Sequence, residues 1–497
     1  TFSGPRRSLV RGRAAMARAR RLFTCARDMA RARQGSDFDY VVVGAGPAGL
    51  AAAGHLAKGG HKVAIFDFRR RPENVFGSYP VVLNPRGLQA LERLDPALVT
   101  KANEIGMDVK ELHIVPDNRT VAQVKTFGTG IMRDQASQIL LEHCETRDTI
   151  KFFWEHKLEE ANLEAHSLTF TTADGSKVTL TDIRQLVAAD GNRSRIRRAC
   201  AAQVPDFTAE ELPWGFQLRF MNSKAGLQQT EVNKDFHYVL GDKGYVCQQP
   251  NGVWSVSLRV LPGVDEDFLT ADDATEERVT KLREYTEKYA GFVAKHLLTE
   301  EDYKGFYNCR AFDGLVVKCS CLNPAGWIVI IGDACHAVQP ATGEGINSGL
   351  EDASILGQCV AEHPDDPFAA YDRLHRADAH ALQLLALQAR DKVVASPRQK
   401  VSNVMVTIGL GIAKRTGIIE GTIQDFMLGE LAKTVGVKSY AELVEMEGRQ
   451  SRGLKTFASG VCKVLRISKE SPLDQVKQDV RDGEPPMAKP ADAAVGS

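Results

Sequence analysis

The sequence predicts an α/β fold in three parts: a domain built on a parallel sheet, a mainly antiparallel β-sheet domain inserted into it, and a helical C-terminal part. Three observations lead there. Short apolar runs enter glycine-bearing turns at three distant places: Gly44-Ala45-Gly46-Pro47-Ala48-Gly49, Asp190-Gly191-Asn192-Arg193-Ser194 and Gly332-Asp333-Ala334-Cys335-His336. Such runs mark strands buried on both faces of a parallel sheet. Between the second and third turns the pattern changes to alternating strands, and from Glu344 onward helical periodicity dominates.

The first turn has the surroundings that a dinucleotide fingerprint needs. Residues 38–43 read as a strand, the Ala-rich stretch 50–58 as a helix stopped by Gly59-Gly60, and 62–66 as a second strand ending at Asp67. Gly44 permits the tight turn, Gly46 lets the backbone approach a pyrophosphate at the helix N-terminus, and Gly49 allows close helix–strand packing. Asp67 follows about 20 residues later, where an acid accepts from the adenosine ribose hydroxyls. A glycine turn without a ligand is the weaker alternative.

Further along, residues 135–146 read as a helix and 150–178 as short strands with a hairpin signal at Ala173-Asp174-Gly175-Ser176. Residues 186–189 form the strand that delivers Asp190. Alternation from 212 to 260 gives strands such as 214–220, with Asn251-Gly252 as a tight turn between two of them. A charged amphipathic helix covers 273–299, strands return at 306–317, and 327–331 leads into Gly332-Asp333. The expected bounds are 37–200 and 307–392 for the parallel-sheet domain, 201–306 for the inserted sheet, 393–470 for the helical region and 471–497 for a disordered tail. Substrate is expected between the two sheets, where pockets tend to form.

Composition narrows the function. The 497 residues allow two domains and a large core. Lys+Arg and Asp+Glu each total 63, so charge gives no argument for a nucleic-acid partner. Ten cysteines include no Cys-x-x-Cys, so no metal or thioredoxin-type dithiol is indicated. No run reaches the ~20 apolar residues of a membrane span. Residues 1–36 hold ten arginines against one acid, Asp28, with Ser, Ala and Leu between. That is the composition of a transit peptide for a mitochondrion or chloroplast, with a basic disordered arm as the alternative.

The three motifs, their order and the inserted sheet are similar to the class A flavoprotein monooxygenases, the aromatic hydroxylases, across residues 38–390, and most of all to their kynurenine branch. Asp190 to Arg197 matches the family's DG motif and Gly332 to Pro340 its GD motif. The stretch Gly343-Glu344-Gly345-Ile346-Asn347 matches its flavin-side loop, and Arg133-Asp134 its cofactor-side arginine. The resemblance implies a Rossmann-like FAD-binding domain with GxGxxG, DG and GD motifs and an inserted substrate domain. FAD contacts then fall to Gly44, Gly46, Ala48, Gly49, Asp67 and Arg133 from the first half of the domain. Asp190, Gly191, Gly332, Asp333, Gly345, Ile346 and Asn347 supply the rest.

Physical chemistry agrees with several of these roles. Asp333 ends a buried strand and can accept from a ribityl hydroxyl, a helix N-cap being the alternative. Gly343 and Gly345 open a helix whose N–H groups stabilise negative charge on a reduced flavin. Pro340, Gly343, Gly345 and Asn347 therefore make up the expected catalytic loop. His336 reads as a packed, hydrogen-bonded histidine rather than an acid–base group. Arg193, Arg195, Arg197 and Arg198 read equally as a nicotinamide-phosphate site or a solvated face.

The activity implied is oxygen transfer: NADPH or NADH reduces FAD, O2 adds at C4a, and the hydroperoxide hydroxylates a small aromatic or isoprenoid substrate. The competing possibility is a non-catalytic flavoprotein subunit of an organelle complex. By alignment, Lys110 replaces the arginine that clamps the amino-acid carboxylate in the kynurenine branch. Phe127 replaces a tyrosine, and Ala389-Arg390 an Asn-Tyr pair. These changes at the substrate-binding positions argue against kynurenine itself. The run 404–410 is apolar on all sides, which implies cover by the FAD domain or docking on a membrane or protein partner.

Overall fold

Five parallel strands make the central sheet of the computed structural model, which describes residues 35–72, 78–224, 231–263, 265–393 and 396–465. In spatial order they are Ile328–Ile330, Leu186–Ala188, Tyr40–Val43, Val63–Phe66 and Ile150–Phe153. Tyr40–Val43 lies in the middle, with Val41 opposite Leu186 on one side and Ala64 on the other. Leu186 in turn faces Ile328. The strands that carry the three glycine turns are therefore neighbours, and being parallel they deliver all three turns to one edge of the sheet. That is the crevice in which open α/β sheets bind ligands.

Helix Pro47–Lys58 begins at Gly46 with Pro47 in its first turn, where the missing N–H costs nothing. Its small residues sit flat on the sheet, and Ala51, Ala52 and Ala53 are all buried. Helix Gly345–Glu362 packs against it closely enough that a Cβ on Gly349 would stand 3.2 Å from the Ala48 Cβ. Arg133–Glu145 and Arg195–Gln203 complete the helices that flank the motifs.

A second, six-stranded sheet forms the roof. Its order is Gln217–Ser223, Trp254–Val260, Gly244–Gln248, Phe236–Val239, Glu111–Ile114 and Ala122–Lys125. Asn251-Gly252 connects two antiparallel neighbours as expected. The expected span 201–306 leaves out two of these strands. Glu111–Ile114 pairs in parallel with Phe236–Val239, Glu111 opposite Phe236, and carries Ala122–Lys125 as the edge. One face of the roof packs Tyr238, Val256, Leu258 and Val260 against Val279, Leu282 and Val293 of helix Glu276–His296. Alternation then turns Phe220, His237, Tyr245 and Ser257 to the opposite face, towards the flavin-type domain.

Two sequence readings change. Residues 306–317 do not return as strand throughout: Glu300–Asn308 is a helix, and the strand is Leu315–Cys319. Thr299 and Asp302 form a reciprocal capping box that starts this helix and overrides the aromatic content of its end. The run 404–410 is apolar all round but covered on one side only. It lies on helix Pro397–Arg415, where Val406 is buried and Gly409 abuts Leu454 of helix Tyr440–Val464. Its cover is thus the C-terminal helix and not the FAD domain, while Val404, Ile408 and Ile412 are each more than half exposed. No described helix is long and apolar enough to cross a membrane. The Arg-rich residues 1–34 and the tail 471–497 lie outside the described residues.

Candidate active site

The glycine turn is shaped by contacts that admit no side chain. Gly44 has φ +106°, and a Cβ there would come within 2.2 Å of the Ala189 carbonyl oxygen. A Cβ on Gly49 would strike the Gly44 carbonyl oxygen at 2.0 Å. The fingerprint spacing thus joins the first strand, the DG strand and the helix N-terminus at one point. Beside it, a Cβ on Gly46 would stand 3.8 Å from Arg133 Nη2, so the Arg133 guanidinium lies at the mouth of the glycine turn. Ala48 lies against the third turn: a Cβ on Gly332 would be 3.0 Å from its methyl. Its small size permits that packing.

Asp67 ends its strand with a carboxylate held in place. Oδ2 accepts from Ala45 N–H at 2.7 Å and Arg69 Nη2 at 2.9 Å, and Oδ1 accepts from Arg69 N and Nε. An adenosine ribose here would share the carboxylate with Arg69. In the DG motif, Asp190 Oδ2 accepts from the N–H groups of Arg195 and Ile196, while the buried Oδ1 has no partner. Burial pushes the Asp190 pKa up. An orphaned carboxylate oxygen beside an open Gly191 suits a polar ligand.

Asp333 is not the N-cap, a position taken by Gly332, but the first residue of the short helix Asp333–His336. Its side chain opens into the cleft, yet the surrounding walls strip water from it and push its pKa up, against the pull of Arg133 and His336. A Cβ on Gly345 would lie 3.9 Å from Asp333 Oδ1, so this acid adjoins the glycine loop. Pro340 and Gly343 are exposed on that loop, Gly343 with φ +68°, and Gly345 begins the following helix. Asn347 is buried and spans the loop, donating to Val82 and Gly343 carbonyls at 2.9 Å and accepting from Asn84 N–H at 3.1 Å. Ile346 is half-buried against the main core.

The arginine cluster is resolved by its partners. Arg197 is fully buried and donates to the carbonyls of Ala334 and Asn192 at 2.7 Å, which bolts the DG motif to the GD motif. Arg193, Arg195 and Arg198 pair with Asp313, Glu159 and Glu211. Each has an acid partner, which leaves little for a nicotinamide phosphate. His336 is buried and bonds Asp352 at 2.7 Å; His375 bonds the other Asp352 oxygen at 2.6 Å, and Gly332 N–H donates to Asp352 as well. Cys335, His336 and Asp352 are close enough to resemble a metal site, but these hydrogen bonds already account for Asp352.

Lys110 does not reach the cleft. It is exposed and pairs with Asp235 at 2.5 Å. Phe127 is half-buried, its N–H bonded to the Leu428 carbonyl and its ring 5.1 Å from Lys433 Nζ. The roof contributes residues that the sequence did not single out. Phe220 meets Phe312 edge-on at 5.4 Å, and Phe312 meets Tyr79 at 6.3 Å, so an aromatic chain links roof to flavin-type domain. His237 and Tyr245 hydrogen-bond on the roof's inner face; burial drops the His237 pKa to about 4, so the pair is neutral. Their strand positions follow from alternation, but the sheet that places them is assembled from distant segments.

The profile of the family described as FAD binding domain matches residues 37–376. The chain belongs to that family. This flavoprotein is 28% identical over 385 residues to a kynurenine 3-monooxygenase of Phaeosphaeria nodorum, covering 70% of this chain and 76% of that protein. It is 26% identical over 373 residues to one from Salinispora tropica, covering 69% and 77%. Among solved structures, p-nitrophenol 4-monooxygenase PnpA from Pseudomonas putida DLL-E4 superposes with a TM-score of 0.58 at 19% identity, over 73% of this chain and 90% of that one. The flavoprotein is accordingly a class A monooxygenase, an oxidoreductase with FAD as its cofactor. The residues fit the group: the open glycine turn, the unpartnered Asp190 oxygen and Asp333 facing the cleft lie on one sheet edge.

Proposed function

We propose that the flavoprotein is an NAD(P)H-using hydroxylase of a small aromatic or isoprenoid substrate held between the glycine loop and the roof. One observation carries this reading: the GD acid adjoins the glycine loop, and the aromatic chain from Phe220 through Phe312 ends at Tyr79, whose hydroxyl feels the charges of Asp333 and Arg133. Bound FAD supplies the oxygen activation. The chain's own residues do the rest. Asp333 and Asp190 offer acceptors for ribityl and other hydroxyls, the Gly345 helix N-terminus favours negative charge, and the roof excludes water.

The state of the inner face supports a choice of substrate class. Lys110 is turned to solvent, His237 is neutral, and Arg259 is tied to the Asp242 carboxylate at 3.3 Å. None of the three is free to clamp a carboxylate as an amino-acid substrate would need. A neutral aromatic or isoprenoid substrate fits that face better than kynurenine does. The test is anaerobic and aerobic NAD(P)H oxidation by the FAD-loaded protein against a panel of aromatic and isoprenoid compounds, with kynurenine included. Product carrying one oxygen from labelled O2 is the expected result. FAD uptake with no compound stimulating NAD(P)H oxidation would reject a catalytic role in favour of a structural one.

Two further readings are ours. The arginine-rich residues 1–36 support import into a mitochondrion or chloroplast, and a reporter fused behind them should enter one of these organelles. The exposed stripe of Val404, Ile408 and Ile412, with Lys414 and Arg415 at its end, supports docking on a membrane surface. Ile408→Asp should abolish co-sedimentation with anionic vesicles and leave FAD uptake unchanged.

A further inference from the structure

The glycine loop contains one titratable side chain, and it points away from the cleft into the protein. Glu344 stands between Gly343 and Gly345 and is completely buried. Its Oε1 accepts from Asn84 Nδ2 at 2.8 Å, and its Oε2 accepts from the Tyr440 hydroxyl at 2.6 Å. Arg86 Nε lies 4.0 Å from Oε2, too far for a hydrogen bond. The Arg86 guanidinium is committed elsewhere, with Nη1 on Glu351 at 2.6 Å and Nη2 on the Lys438 carbonyl, and it stacks 3.9 Å over the Tyr440 ring.

Groups on three helices meet Glu344, and buried Asp378 of a fourth, Pro367–Val393, accepts from the Ala441 N–H beside Tyr440. Helix Pro85–Leu94 brings Arg86 and its N-cap Asn84, helix Tyr440–Val464 brings Tyr440, and Glu351 stands on the helix that Glu344 caps, Gly345–Glu362. The two carboxylates, Glu344 and Glu351, share one arginine. A carboxylate placed so gains no bidentate cation and leans on neutral donors, which leaves its charge poorly compensated.

We propose that Glu344 is a proton-holding positioning residue of the flavin loop: it takes up a proton when negative charge is placed against that loop, and Tyr440 sets the pH at which this happens. The inference rests on the FAD reading given above. Like charges in a low-dielectric setting disfavour each other, so charge on the loop's cleft side raises the proton affinity of Glu344 behind it. Burial already pushes the Glu344 pKa up to about 7, against the opposing pull of Arg86, the Tyr440 hydroxyl and Asn84. The carboxyl therefore changes state near neutral pH. The step is a protonation only: a two-electron reductant supplies the electrons, solvent supplies one H⁺, the Oε–H bond forms, and it breaks again when the charge leaves. No bond between Glu344 and any ligand is made.

The experiment is the midpoint potential of the bound FAD against pH, by dithionite titration of the FAD-loaded full chain. Each proton coupled to two electrons steepens the slope by about 30 mV per pH unit, the value for a tenfold change at two electrons. Wild-type protein should show one more proton than Glu344→Gln in the neutral range. Tyr440→Phe removes a donor to the ionised form, so it should keep the extra proton and move its window to higher pH. A purely structural role for either residue would change FAD affinity without altering the slope. Equal slopes in wild type and Glu344→Gln, or a Tyr440→Phe window that does not move, would overturn the proposal. If Glu344→Gln does not fold, the Tyr440→Phe window alone decides. Wild-type protein that takes up no FAD would defeat the FAD reading itself, an outcome distinct from equal slopes in a yellow protein.

Discussion

Asp67 shows how far one residue can be read in advance and where that stops. Its place after the second strand was legible from the βαβ spacing; its engagement by Arg69 was not, because a side chain two residues on folds back onto it. Asp67→Ala should weaken FAD by roughly 1–3 kcal/mol, the cost of losing charged hydrogen bonds. Fluorescence titration of apoprotein with FAD measures this, and a folded variant of unchanged affinity would remove Asp67 from the ligand set. Asp352 is the opposite case, a residue that no motif singled out as central. Burial opposes its ionisation, but His336 and His375 outweigh burial and hold its carboxyl well below the usual carboxylate range. Its contribution to stability is therefore present above the unfolded pKa of about 4 and is lost as pH falls through the acid range. Asp352→Ala, which strands two buried histidines, should cost about 3–5 kcal/mol in urea unfolding at neutral pH. At pH well below 4 the gap between variant and wild type should narrow.

Among elements, the C-terminal helix Tyr440–Val464 carries more than its sequence announces. Its start was readable, since Ser439 and Glu442 form a capping box. What it touches was not, because Tyr440 reaches Glu344 across 96 positions of chain and no local pattern encodes that pairing. Tyr440 and Leu443 also join Trp214, Phe216, Val338 and Phe426 in a core between roof, GD loop and C-terminal helices. A chain ending before Ser439 should therefore melt at lower temperature and hold FAD more weakly, read by scanning calorimetry and by flavin fluorescence. Unchanged melting and FAD affinity would mean that this core is dispensable. The helix Glu300–Asn308 teaches the complementary point: its last three residues fell in the stretch 306–317 read as strand, and the Thr299–Asp302 cap decided otherwise.

For the molecule as a whole, the parallel sheet was legible in large part because three of its five strands announce themselves by a short apolar run with a glycine turn at the end; Val63–Phe66 ends instead at Asp67, and Ile150–Phe153 carries no such turn. The roof was legible only in part. Its later strands alternate visibly, but Glu111–Ile114 and Ala122–Lys125 precede them by about a hundred positions and join through a parallel pairing that sequence spacing cannot reveal. Residues 201–306 expressed alone should therefore fail to fold. Their sheet would end on an unpaired Phe236–Val239 edge, as amide exchange or circular dichroism would show.

That borrowed hairpin has a mechanical consequence. A clamshell opens about a flexible line, and here such a line must cross the two short segments, 109–110 and 126–128, that tie the roof's hairpin to the paired strands Met107–Asp108 and Thr129–Met132. Swinging the roof from the floor would bend both crossings at once, because Met107–Asp108 and Thr129–Met132 pair with each other at their base. The roof is stitched to the floor at both ends of one hairpin, which stiffens the vault over the cleft against opening as a clamshell.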